Sequence, residues 1–423
     1  VSARHTLDRR TFLFGLAAAA LPLERVVTRN KDLVTGLARD YVSSTAETLT
    51  ASDFFRFGSL AQLAAFTYFP VERDGWLAYV PCVGTFYADN WSMSRIVSTA
   101  ILQEQARSQL ANDDAAVLTD DLQRALKGLD QYKLVGSAPS DVRYAGHPPG
   151  SSIVPDDVWC DDNAWIMRNY LAIYRMTKDP TALATVEALF RFEVSNWQQQ
   201  AACDPGGIPW IQPRSREGNH DRNTVSNAPV AMAGYELYLI TNDPFYRDWA
   251  SRIDDYQMKY FVDGTRVYDH IDTNCNVDRS FWAYTYGVVI GMNRLRHIVA
   301  GADPSALAAA ESIAKASLDT FESNAGASQP ATFVDIYFQE LCQLYQLTQD
   351  DELRMRIPKV IVNYAKALWS DGSVHKSNHL FRDANFDLFD GIPYLRFKPH
   401  VVSLANQAGV ANIYYTAACV LTV

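Results

Sequence analysis

Tyr174-Arg175-Met176-Thr177-Lys178-Asp179-Pro180 recurs as Tyr238-Leu239-Ile240-Thr241-Asn242-Asp243-Pro244 and, with its last residue changed, as Tyr345-Gln346-Leu347-Thr348-Gln349-Asp350-Asp351. A degenerate copy ends in Gly301-Ala302-Asp303-Pro304. Each copy follows one apolar pattern of helical period and precedes another. Asp is a strong helix N-cap, and Pro at the first helical position carries a preset φ and needs no amide donor. Each copy is therefore the joint of a helical hairpin, and spacings of roughly 47 to 64 residues suit two helices with their loops.

Further helices are expected over Leu33–Leu49, Leu60–Phe69, Asp89–Leu110, Ala115–Lys133 and Val401–Leu421. Strict apolar/polar alternation is lacking. The count approaches a dozen helices in roughly 400 residues, about 33 per helix and loop. The expected fold is all-α, an (α/α)6 toroid of six hairpins, with a straight helical solenoid as the alternative. Gly136–Pro155, rich in Gly, Pro and Ser, reads as a rim loop, so residues 24–423 form a single domain.

At 48% hydrophobic the chain can bury a large core. Its formal charge of −10 includes no basic stripe beyond the N-terminus, which excludes a nucleic-acid partner. Aromatics are 12% of residues, a richness that serves a large core or a carbohydrate site equally well. Residues 1–23 read as an export signal: Asp8-Arg9-Arg10-Thr11-Phe12-Leu13 is a twin-arginine pattern, followed by an apolar run too short to cross a bilayer. A secreted or extracytoplasmic protein without an integral membrane segment in its mature chain is expected. Cys82, Cys160, Cys203, Cys275, Cys342 and Cys419 stand singly, and their spacing leaves open whether Cys160 and Cys203 pair.

The chemistry points to Trp159-Cys160-Asp161-Asp162-Asn163-Ala164-Trp165. Two adjacent carboxylates at a helix start are ordinary capping acids, but they are also what glycosidic bond cleavage uses. One protonates the leaving group while the other attacks the sugar carbon, at roughly 5–5.5 Å separation in retaining enzymes. An indole beside them offers a face for a pyranose ring. Gly206-Gly207-Ile208-Pro209-Trp210 delivers a second indole on a glycine turn, and Arg222-Asn223-Thr224-Val225-Ser226-Asn227 places two amides before a helix. In a toroid these loop-to-helix junctions converge on one face. Asp156-Asp157 is the competing acid pair, read as a turn.

In order and spacing these runs resemble glycoside hydrolase family 76, the α-1,6-mannanases, from about Trp159 to the C-terminus. Phe281-Trp282-Ala283-Tyr284-Thr285-Tyr286-Gly287 is similar to a further family segment, with Thr285 and Tyr286 where the family has amides. Weaker echoes lie at Phe86–Trp91, Phe333–Tyr337 and Asn406-Gln407-Ala408. The resemblance implies the (α/α)6 fold, Asp161 as nucleophile and Asp162 as general acid/base. It implies substrate contacts from Asn163, Trp165, Gly207, Trp210, Asn223, Asn227, Trp282 and Tyr284. The substrate would be a mannan-type polysaccharide or oligosaccharide, cut within the chain by double displacement. The residues alone do not say which Asp takes which role. A transglycosidase shares every one of these motifs, and an (α/α)6 sugar epimerase or lyase, or a carbohydrate-binding protein, are the readings from other classes.

No cofactor is expected. Asp272-x-Asn274-x-Asn276-x-Asp278 has calcium-loop spacing but Val277 where such loops need glycine, and His375-x-x-x-His379 has no third ligand nearby and reads as a surface pair. No metal is expected.

Overall fold

The computed structural model describes residues 49–70, 88–112, 119–136, 141–148, 157–199, 203, 205–212, 221–323, 326, 329–371, 374–382 and 402–422. The export signal, the helix expected over Leu33–Leu49 save Leu49 itself, Asp156, Cys82 and the Phe86 end of the weak match lie outside these residues.

Twelve α-helices are described: α1 Ala51–Tyr68, α2 Asn90–Ala111, α3 Asp120–Asp130, α4 Cys160–Thr177, α5 Pro180–Ser195, α6 Thr224–Thr241, α7 Pro244–Tyr260, α8 Ala283–Val299, α9 Pro304–Glu322, α10 Ala331–Tyr345, α11 Asp351–Ser370 and α12 Leu404–Val420. The even-numbered helices pack in succession, and α12 closes on α2, so the ring is complete. The sixth pair joins the ends of the chain: α12 packs against α1. This is the (α/α)6 toroid, not the open solenoid. The inner helix α12 is buried along its whole length. The outer helix α11 buries one stripe, Leu353, Ile357, Val360, Ile361 and Ala365, at the spacing of a single helix face.

The recurrent joint works as a stop and a restart. Lys178 and Asn242 take left-handed φ of 58°, and their N–H groups bond to the carbonyls of Tyr174 and Tyr238. The Asp179 and Asp243 amides donate to the Thr177 and Thr241 hydroxyls, while their carboxylates accept from Thr181 and Phe245 N–H. Proline then occupies the first turn.

The chain departs from expectation after α3. The helix expected over Ala115–Lys133 is shorter, starting behind a Thr119 cap that accepts from Leu122 N–H. Strand β1 (Lys133–Val135) follows and pairs antiparallel with β2 (Val142–Tyr144), which lies within the Gly136–Pro155 segment expected to be a rim loop. The two-residue strands β3 (Arg222–Asn223), β4 (Val262–Asp263), β5 (Arg266–Val267) and β6 (His270–Ile271) complete the order, β3 pairing with β6 and β4 with β5.

Candidate active site

The Asp161-Asp162 pair occupies the first turn of α4, at the positive end of its dipole. The turn is held from two sides. Cys160 N–H donates to the Trp210 carbonyl, and Gln212 N–H donates to the Val158 carbonyl, so the glycine turn lies along the entry to α4. The glycines are required here: Gly207 has φ +81°, and a Cβ on it would meet the Tyr256 ring at 2.5 Å. Trp210 then directs its indole N–H onto Asp161 Oδ2 at 3.0 Å, while Asp162 N–H donates to Asp161 Oδ1 at 2.9 Å. Both oxygens of Asp161 thus accept charge-assisted hydrogen bonds. Asp161 is partly exposed and Asp162 is buried.

The amides divide. Asn163 is fully buried; its Oδ1 accepts from Tyr144 N–H and its Nδ2 donates to the Tyr144 and Trp159 carbonyls. Asn227 repeats this at α6, accepting from Ile208 N–H and donating to the Ile208 and Asn223 carbonyls. Both amides are spent on backbone, so the expectation that they meet sugar hydroxyls is corrected: they staple loops to helix starts. Asn223, half-buried at the α6 N-cap, makes no capping bond of its own. Gln407, from one of the weaker echoes, staples α12 in the same manner, accepting from Phe381 N–H and donating to the His379 carbonyl.

Trp165 is also corrected. It is 4% exposed, packed edge-to-face on Trp91, and leaves no open face for a pyranose. Trp210 and the pair Trp282 and Tyr284 remain partly exposed, Tyr284 stacking on Phe333 at 3.9 Å between ring centres. Thr285, standing where the family has an amide, bonds to the Trp282 carbonyl inside the helix start.

Three features escaped the sequence reading. Cys203 pairs with Cys275, not with Cys160, tying the glycine turn to the loop after β6. Cys160, Cys342 and Cys419 are buried thiols. Glu193 of α5 is fully buried beside Cys160 and Asp161; burial, reinforced by the charge of Asp161, pushes its carboxyl well above the usual range. The only signal for Glu193 was an acid on the apolar face of α5, among Leu189, Phe190 and Val194.

Asp272 opens a tight turn. Its carboxylate accepts from Asn274 and Asn276 N–H, closing the loop on itself. Among the described residues, Asp269, His270 and Asp278 bring ligand-type atoms within 4.8 Å of one another. His375 and His379 are not a surface pair. His379 is buried, its Nδ1 lies 3.0 Å from His375 Nε2, and both rings stack on Trp369 or Phe381. The aromatic cluster between α11 and α12 draws them inside.

Residues 151–356, just under half of the chain, match the model of glycosyl hydrolase family 76. The family resemblance read from the motifs holds. The mannan endo-1,6-alpha-mannosidase DFG5 of Saccharomyces cerevisiae is 31% identical over 143 residues, 31% of this chain and 31% of that protein. The chain thus spans about a third of the curated relatives it matches. Among solved structures, a family 76 mannosidase of Bacteroides thetaiotaomicron superposes with TM-score 0.67 at 18% identity, covering 86% of this chain and 98% of that one. A family 76 α-1,6-mannanase of Salegentibacter sp. superposes with TM-score 0.66 at 18% identity, covering 87% and 100%. That structure is of an inactive variant, with two consecutive aspartates replaced by asparagine, in complex with α-1,6-mannotriose. These neighbours share the toroid.

Proposed function

We propose that this protein is an exported, retaining glycoside hydrolase that cleaves α-1,6-mannosidic bonds within mannan-type polysaccharide. The observation that carries the proposal is the Asp161-Asp162 pair on the first turn of α4, with the Trp210 N–H fixed on Asp161. Asp161, both of whose oxygens are held by N–H donors, is oriented as the nucleophile that forms the glycosyl–enzyme bond. Asp162 donates its proton to the departing glycosidic oxygen, then takes one from the water that releases the sugar. Trp210, Trp282 and Tyr284 supply partly exposed aromatic faces, and Asn223 an amide, for the flanking sugars. The family 76 match supports the reaction class, and the names of the relatives support the linkage and internal cutting. Inactivation of the Salegentibacter enzyme by replacement of two consecutive aspartates supports the pair. The Cys203–Cys275 disulfide supports an oxidising compartment, consistent with the twin-arginine pattern.

The test is time-resolved NMR of the purified protein acting on linear α-1,6-mannan. A ladder of mannooligosaccharides born as the α-anomer is expected. Longer chains in place of shorter ones would move the assignment to transglycosylation, and β-anomers would overturn double displacement.

A further inference from the structure

The axis of the toroid holds a second polar site. A cavity of about 120 Å³ is lined by all six inner helices; Trp165 stands at one end and Arg175, in the last turn of α4, at the other. At 1.5 Å per residue, Arg175 lies about 20 Å along α4 from Asp162, so that end of the cavity and the acid pair are at opposite ends of the helix.

Its charges do not cancel. Arg168 bonds to Glu340, Arg175 to Glu236, and Arg95 to Asp335. Arg294 shares Glu340 with Arg168, so four guanidiniums meet three carboxylates. Its side chain is 10% exposed, its nearest carboxylate oxygen is Glu340 Oε2 at 3.7 Å, and Glu340 already serves Arg168. Arg294 Nε, Gln339 Nε2 and Thr416 Oγ1 are buried without a hydrogen-bond partner, and all three residues line the cavity. One unpartnered acceptor, Glu340 Oε2, also lines the cavity, 3.7 Å from Arg294, so the unpartnered donors outnumber it and a further acceptor would satisfy them. The carbonyl ends of the inner helices do not supply it. A helix dipole acts within its last turn, which suits Arg175, whereas Arg294 sits more than a turn inside α8.

We propose that the axial cavity binds a small oxyanion of the inorganic phosphate class, seated among Arg294, Gln339 and Thr416. One anion answers the one guanidinium in excess of the paired carboxylates, and the cavity has room for water-sized groups beside it. Burial also holds the Arg294 guanidinium below its ordinary pKa, a penalty that a bound anion would offset.

The experiment is thermal unfolding of the full chain titrated with sodium phosphate at constant ionic strength, with sodium chloride as control. A rise in Tm that grows with the logarithm of phosphate concentration is expected, about 2 °C when phosphate is about tenfold above its Kd. Arg294→Met should abolish the response while keeping or raising the Tm without phosphate, because it removes a buried unpaired charge. Absence of a phosphate-specific shift in the unsubstituted protein, or an equal shift in Arg294→Met, would overturn the proposal. Should the variant fail to fold, crystals soaked in selenate decide: an anomalous peak beside Arg294 sustains the site, and an empty or water-filled cavity removes it.

Discussion

Helices α4 and α6 start on the same scaffold. In α4, Asn163 exchanges hydrogen bonds with the backbone of Tyr144; in α6, Asn227 does so with Ile208, each partner lying nineteen residues upstream. Each Asn also bonds the carbonyl four residues before it, and neither N-cap residue, Trp159 or Asn223, caps with its side chain. The two residues before the staple differ: Asp161-Asp162 in α4, Val225-Ser226 in α6. These two helix starts thus share one device, and the proposed chemistry rests on the two residues by which they differ. Trp210 joins the two stations, because the glycine turn stapled by Asn227 is the one that delivers its indole to Asp161.

The largest effect should appear when the difference itself is erased. Asp161→Asn or Asp162→Asn should each lower kcat on α-1,6-mannan by about 10³-fold or more. Ser226→Ala, at the matching place in α6, should change it by no more than about threefold, under about 1 kcal/mol of barrier. A similar loss at Ser226 would mean that the two stations share the chemistry.

Erasing the likeness should cost stability at both ends. Asn163→Leu and Asn227→Leu each strand a buried N–H and carbonyl and should destabilise by about 2–4 kcal/mol in denaturant unfolding. Activity is the discriminating readout: among molecules still folded, both variants should lose turnover, one by shifting Asp161 and the other by loosening the Trp210 turn.

How far these roles were legible depended on how local they were. The Thr-x-Asp-Pro joints were plain because cap, hydroxyl and proline lie within four residues of one another. The place of Asp161-Asp162 at a helix start was plain because acids before a helical pattern stand out. Asn163 and Asn227 were noticed but misread, since their partners are a loop nineteen residues away and no periodicity points there. The pairing of α12 with α1, the Cys203–Cys275 bridge and the cover of Trp165 by Trp91 each join residues far apart in sequence, which spacing does not encode. Glu193 was missed because one acid in an apolar stripe looks like a tolerated exception until its neighbours are known.

Bridge and buried acid give the smaller tests. Trp210→Phe keeps the ring and removes the N–H to Asp161, and should lower kcat by about tenfold with little change in KM, as expected for a hydrogen bond to a charged group. Glu193→Gln should act on stability through pH. The folded-state pKa of Glu193 is raised, so its contribution is fully present below the unfolded value near 4.5 and is lost as pH rises toward the folded value. Denaturant midpoints should therefore favour Glu193→Gln over the parent increasingly above pH 4.5, and a constant difference would show that Glu193 is ionised in the fold.

The most direct test of the division between the two helix starts is to trap the covalent intermediate with a fluorinated mannosyl donor and map it by peptide mass spectrometry. An adduct on Asp161, in the α4 peptide, is the result expected. An adduct on any other residue, or multiple turnovers with no glycosyl–enzyme formed under trapping conditions, would contradict it.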